Sequence, residues 1–300
     1  MKKTKMMKRC ALALLLAALV LSGCGKRDEP DAPEQTAQTV EYSNLNDASS
    51  KELLAKLFED AGIAAERSDK FFACLDQFNG SVKAEWLTDG FETAAPTETK
   101  YDPYEMQDMW MEKQGDFLGY NCRITAFLLF GDHIAAGADQ PETNGEDSLF
   151  MDLETLKRDP DVLCGKSTAD FCALFAPVEA AESTKPSVQA EALRKGWAER
   201  GVTFSDGGCN MISVVFHDRF SETENTLFIG HVGILLPAGD DGLYFVEKVA
   251  FQEPYRLTKF ESRAALKSYL MAKYDTGWGQ DTTPPFLMEN DVLMDDAAAE

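Results

Sequence analysis

Cys122, His231 and a polar side chain on the segment after His231 are the residues of this chain whose types and spacing could do chemistry. Cys122 follows Gly119-Tyr120-Asn121 and runs into the apolar stretch ITAFLLF. Asn121 is a good N-cap, which puts Cys122 in the first turn of a helix. There, unpaired backbone N–H groups and the helix dipole favour a thiolate over the free thiol, whose pKa is about 8.5. A thiol nucleophile needs a base, and the chain has three histidines. His133 fails on geometry: on a continuous helix it would lie on the same face as Cys122 but ~16 Å up the axis. His217, in VVFHDRF, sits beside charged residues at the end of a strand and reads as solvent-facing. His231 opens HVGILL behind Gly230, in an apolar setting that would hold its ring still, and is the best partner.

A third residue, to orient the imidazole, would come from the paired strand LYFVEK. An odd number of loop residues, or a bulge, places Glu247 on the sheet face of His231; a two- or four-residue loop gives that face to Lys248 and Gln252. The register stays open at this point, with Glu247 favoured and Gln252 second. The chemistry would be that of a thiol hydrolase or transferase. His231 would deprotonate Cys122, Glu247 or Gln252 would hold the ring, and backbone N–H groups near Cys122 would stabilise an oxyanion.

Elements that could position these groups follow from the apolar spacing. Ser49-Ser50 precedes KELLAKLFEDAGI, with Leu53, Leu54, Leu57 and Phe58 at helical intervals. Further helices are expected from Ser68 to Asn79-Gly80, from Tyr104 to Lys113 and through RITAFLLF. Others fall near Met151 to Lys157, from Thr168 to Phe175, from Gln189 to Arg200 and from Lys259 to Lys273. Strand signal concentrates in MISVVFHDRF, TLFIGHVGILL and LYFVEKVAF, with Asp240-Asp241-Gly242 suited to a hairpin between the last two. Pro284-Pro285 opens an extended tail. Helices first and a meandering sheet later make an α+β domain of roughly 250 residues.

The amino terminus carries a different message. Lys2, Lys3, Lys5, Lys8 and Arg9 precede an apolar run from Cys10 to Leu21, which ends in Leu21-Ser22-Gly23-Cys24. Twelve apolar residues cover roughly 18 Å, short of the ~30 Å hydrocarbon core, so the run reads as a secretory signal rather than a span. LSGC resembles the lipobox of bacterial lipoproteins, in which the cysteine is acylated and becomes the first mature residue. The expected organisation is a signal over 1–23, acylated Cys24 and a flexible tether over 24–46, and one globular domain over 47–300. The exported chain would be held to a membrane by the lipid on Cys24.

Composition narrows the partners. Losing the signal removes five basic and no acidic residues, moving the formal charge from −22 to −27. So acidic a chain is repelled by phosphate backbones, which argues against nucleic-acid binding, and by anionic lipid headgroups. No HExxH, paired CxxC or glycine-rich phosphate loop is present, and the acidic stretch from Asp139 to Asp147 lacks EF-hand spacing, so no metal and no cofactor is expected. Cys74, Cys122, Cys164, Cys172 and Cys209 remain after the signal and anchor are set aside. Being five, they leave at least one thiol free or paired with another chain; Cys164–Cys172 is the most plausible bridge, and Cys74, Cys172 and Cys209 otherwise read as core or loop residues.

HVGILL followed by YFVE resembles the histidine strand and next strand of the NlpC-type cell-wall cysteine peptidases, a papain-like family. That resemblance implies a central helix opening with the nucleophile, packed on an antiparallel sheet, with the catalytic roles on Cys122, His231 and Glu247 and peptidoglycan peptides as substrate. The chain departs from the pattern with Asn121-Cys122-Arg123-Ile124 where the family has Asp-Cys-Ser-Gly, and with Glu where the third residue is commonly His, Asn or Gln. NCRITAF, GHVGILLP, FVEKVAFQEPY and PFLMEND are similar to a family of bacterial lipoproteins catalogued as a domain of unknown function (number 4300). The alternative is a non-catalytic lipoprotein that captures a ligand or partner on the same scaffold; Trp110, Trp197 and Trp278 could line such a cleft, although core packing is the more usual role for all three.

Overall fold

The computed structural model describes residues 39–137, 146–221, 224–239, 242–277, 279 and 281–294. The signal, Cys24, the tether up to residue 38 and Trp278 lie outside the described residues. Within them the protein is α+β, with eight α-helices, a nine-stranded sheet and a separate two-stranded pairing. Among the described residues no helix is long and apolar enough to cross a membrane.

The helices are α1 (Ala48–Asp60), α2 (Ala65–Asn79), α3 (Pro103–Gln114), α4 (Cys122–Phe130), α5 (Glu146–Arg158), α6 (Thr168–Phe175), α7 (Pro186–Glu199) and α8 (Arg263–Tyr274). Local chemistry starts several of them. Asp47, rather than Ser49-Ser50, caps α1 by accepting from the Ser50 N–H; Ser167 closes a capping box with Asp170 at α6; Ser262 caps α8. Amphipathic spacing then buries one face, as with Leu54, Leu57 and Phe58 on α1 and Leu266, Tyr269 and Leu270 on α8.

The strands are β1 (Val40–Ser43), β2 (Glu92–Ala94), β3 (Ile134–Ala135), β4 (Val178–Glu179), β5 (Thr203–Phe204), β6 (Asn210–Arg219), β7 (Asn225–Pro237), β8 (Leu243–Lys248), β9 (Tyr255–Phe260), β10 (Phe286–Glu289) and β11 (Val292–Leu293). The main sheet runs β11-β10-β6-β7-β8-β9-β1-β2, all antiparallel, with β4 beside β7; β3 pairs with β5. Two segments depart from expectation. Val40–Ser43, read as tether, is a strand between β9 and β2, because Val40 and Tyr42 alternate with Glu41 and both are buried. Tyr255–Phe260 extends the sheet where the sequence predicts a helix beginning at Lys259, and the helix waits for the Ser262 cap.

The sheet carries a core on each face. The larger includes α4 and Val232, Ile234, Leu236, Tyr244 and Val246 from β7 and β8. Of the residues of α4 only Arg123 is not buried, and full burial of Phe127, Leu128, Leu129 and Phe130 contributes roughly 1.5–3 kcal/mol each. The smaller core joins Leu235 and Phe245 to Leu266, Tyr269 and Leu270 of α8.

Candidate active site

Asn121 has extended backbone and its Oδ1 accepts from the Ile124 N–H at 3.0 Å, so the N-cap expected from the sequence starts α4 at Cys122. The N–H groups of Cys122 and Arg123 are then the first-turn donors without an acceptor inside the helix. Gly119, just upstream, has φ +81° and faces the Trp110 indole so closely that a Cβ would lie 2.9 Å from the ring. A glycine is needed there for both reasons.

His231 owes its orientation to a bulge. Val214 is opposite His231 but Val215 is opposite Ile229, so Gly230 is an extra residue in β7. A Cβ on Gly230 would meet the Phe216 ring at 2.3 Å. The bulge reverses the alternation: Ile229 packs in the larger core, while His231 faces the same way as Leu235. Further along, Ile234 pairs with Val246 and Pro237 with Leu243, leaving an odd number of residues in the turn. That parity puts Glu247 with His231. His231 Nε2 and Glu247 Oε2 are 2.6 Å apart.

The Cys122 thiol lies beside the His231 imidazole, near enough that each favours the charged form of the other. Because Nε2 is engaged by Glu247, Nδ1 is the nitrogen left for sulfur. The structure thus brings together Cys122, His231 and Glu247, 6 %, 1 % and 0 % exposed. Burial opposes charge on all three, yet the neighbours of each favour its charged form. The positive His231 outweighs burial and keeps the Cys122 thiol below its ordinary value, with Arg123 assisting. Burial would lower His231, but Cys122 and Glu247 raise it to about 9. Against burial, Lys273, His231 and Arg256 hold Glu247 well below the usual carboxylate range. The contrast with other thiols is sharp: burial lifts Cys74 to about 12 and Cys209 to about 11. A thiol whose ionisation is favoured by a neighbouring imidazole, itself backed by a carboxylate, is the arrangement a cysteine nucleophile uses.

Groups not anticipated from the sequence complete the site. Tyr269, on α8, donates to Glu247 Oε1 at 2.5 Å; Lys273 Nζ is 3.8 Å from the same oxygen and donates to the Tyr269 hydroxyl at 3.1 Å. Tyr274 stacks on the His231 ring, centroids 4.7 Å apart and planes 20° apart. On the other side, α5 holds the turn before Cys122. Asp152 accepts from Asn121 Nδ2 at 2.8 Å and from Arg123 Nε and Nη2 at 3.0 and 2.6 Å. Thr155 donates to Gly119 O at 2.8 Å, and Tyr120 donates to Asp159 at 2.5 Å. Polar residues three and seven positions after Asp152, on an otherwise amphipathic segment, were the available signal.

Other expectations are corrected. Gln252 lies in the bend past the end of β8, outside the strand pairing, and the place beside His231 is taken by Glu247. Lys248 points into the larger core, donating to the carbonyls of Ala250, Phe251 and Glu253, with Nζ 3.7 Å from the Phe78 ring centroid; burial pushes it well below its ordinary value. His217 is buried rather than solvent-facing, since the tail and α7 cover it. Cys164 and Cys172 are not joined by a disulfide: Cys164 sits in a left-handed turn and Cys172 inside α6. Trp110 and Trp197 are core residues, their indole N–H groups bonded to Phe117 O and Leu174 O, so neither lines a cleft. Among the described residues no group of three or more His, Cys, Asp or Glu side chains gathers as a metal site.

Fold and site together define an α+β protein that presents a paired thiol at the start of a central helix and an imidazole–carboxylate couple on the sheet. Over residues 41–294 the chain matches the family described as domain of unknown function DUF4300, and it belongs to that family. No curated protein and no solved structure matches it.

Proposed function

We propose that this protein is an exported lipoprotein, anchored through Cys24, that acts as a papain-like cysteine hydrolase or amidase on cell-wall peptides. The observation that carries the reading is the buried Cys122–His231–Glu247 constellation, in which Glu247 is hydrogen-bonded to His231 and His231 lies beside Cys122, with the thiol held below and the imidazole above its ordinary value. In this mechanism the Cys122 thiolate attacks a peptide carbonyl. The Cys122 and Arg123 N–H groups receive the developing oxyanion, and the His231 imidazolium gives its proton to the leaving amine. A thioester forms as the C–N bond breaks. Water, deprotonated by the now neutral His231, then releases the acid and restores the thiol. Glu247 keeps the ring oriented with Nδ1 towards sulfur. Peptidoglycan stem peptides are the substrate, on the strength of the NlpC-type motif and the expected place at the cell envelope.

One observation favours a second reading, a binding lipoprotein without turnover: the three groups are almost wholly buried. Incubation with purified peptidoglycan separates the two. Wild type should release peptide products of new mass and Cys122→Ala should lose that release by on the order of 10³-fold or more. Release should fall as pH passes about 9, where His231 surrenders the proton needed by the leaving group. Retention of peptidoglycan by both proteins, with no product from either, sinks the hydrolase and favours capture.

A further inference from the structure

We propose that Arg123 and Asp152 are positioning residues that hold the turn bearing Cys122 in register with the strand bearing His231. The inference rests on the Cys122–His231 reading. The Asp152 carboxylate, fully buried on α5, takes both chain neighbours of Cys122 at once: the amide of Asn121 and the guanidinium fork of Arg123. From the same guanidinium, Nη1 donates to Ile229 O at 3.3 Å. Ile229 immediately precedes the Gly230 bulge, and the bulge is what turns His231 towards its partners. One continuous set of directional bonds therefore runs from α5 through the nucleophile's turn to the base's strand.

Nothing else described at this end of α4 does the same. From Ile124 onward the helix packs mainly through apolar side chains, whose attraction is non-directional and tolerates sliding. A bidentate guanidinium–carboxylate pair fixes angle as well as distance. A thiol and an imidazole that must meet within a hydrogen bond depend on such fixing, since a displacement of about 1 Å can cost on the order of 10²-fold in rate.

Charge and position make opposite predictions, which gives the test its sign. The negative Asp152 disfavours a Cys122 thiolate and Arg123 favours it. If Asp152 acted only by charge, Asp152→Asn would lower the pH midpoint of Cys122 alkylation. As a positioning residue, its loss frees the guanidinium, lengthens the thiol–imidazole contact, raises the midpoint and slows labelling. The experiment follows iodoacetamide labelling of Cys122 against pH, by peptide mass, in the whole exported domain. Asp152→Asn should raise the midpoint and slow labelling at neutral pH by roughly tenfold or more. Arg123→Lys, which keeps a cation but loses the fork, should fall between that variant and wild type.

Asp152→Asn leaves a buried charge unpaired and can fail to fold, so Arg123→Met with Asp152→Leu, which removes both charges, is measured beside it, with cooperative thermal unfolding as the check. Losing both charges raises its midpoint by charge alone, since Arg123 acts on Cys122 more strongly than Asp152 does, so the sign is read from Asp152→Asn and from Arg123→Lys, which keeps both charges and by charge alone would leave the midpoint unchanged. A lowered or unchanged midpoint in a folded variant overturns the positioning role. If wild-type Cys122 labels no faster than Cys74, the site reading itself fails, and that outcome is distinct because it needs no variant.

Discussion

Two histidines are buried on adjoining strands of this sheet, and only one of them has ionisable partners. His217 on β6 accepts the Thr283 N–H at Nδ1, 3.0 Å away, with the Thr283 hydroxyl at 3.1 Å and the Gln189 amide at 3.5 Å. Because a backbone N–H can only donate, the ring hydrogen sits on Nε2, which donates to Asn225 Oδ1 at 2.7 Å. Every direct partner is neutral, and the ring ties the tail and α7 to the sheet. His231 on β7 instead meets a carboxylate, a thiol and the face of a tyrosine. Burial is common to both; the charge of the partner separates them. A buried histidine becomes a candidate base when its neighbours favour the imidazolium.

The largest effect on this contrast should come from Glu247→Gln, which gives His231 the neutral surroundings of His217. Lys273 and Arg256 lose their counter-charge at the same time, so we expect a loss of about 3–5 kcal/mol at neutral pH by denaturant titration, with a higher midpoint for Cys122 alkylation. The pH dependence follows from the depressed carboxyl. Its contribution is fully present above the unfolded value of about 4.5 and drains away as pH falls below it towards the folded value. Wild-type and variant stabilities should therefore converge in acid. An equal gap at pH 7 and pH 3 would show that the carboxylate's charge is not what matters.

Next in size is His217→Phe. It strips the Thr283 N–H and Asn225 of a partner and should cost about 1–3 kcal/mol, while Cys122 alkylation keeps its wild-type profile. A shifted profile would mean that the two histidines are coupled. The smallest change is Tyr274→Leu, which removes the stacked ring; we expect about 0.5–1.5 kcal/mol in thermal unfolding and a smaller movement of the alkylation midpoint than with Glu247→Gln.

Much of this was legible in the chain. Apolar periodicity marked α3, α6 and α7 closely, and the Asn121 cap placed Cys122 at the start of a buried helix because capping is local chemistry between residues three apart. The choice of His231 over His133 was equally local in origin, since helix geometry alone puts His133 too far away. Less legible was β1, whose short alternation is masked by the polar stretch ahead of it, and whose partners β9 and β2 are remote in sequence. His217 misled for a similar reason: its charged chain neighbours suggested water, but Gln189 and Thr283 arrive from elsewhere to cover it.

Sequence by itself determined which residue types could act and which ends of which elements would carry them: a capped thiol, a histidine behind a glycine and a carboxylate on the next strand. Tertiary structure alone decided that Gly230 is a bulge, that the hairpin turn is odd and Glu247 rather than Gln252 faces the ring, and that α5 and α8 supply Asp152, Tyr269, Lys273 and Tyr274. The physical reason is one of range. Caps and periodicity are set within a turn or two of chain, whereas strand parity and the charges around a buried pair depend on contacts that exist only once distant segments have packed.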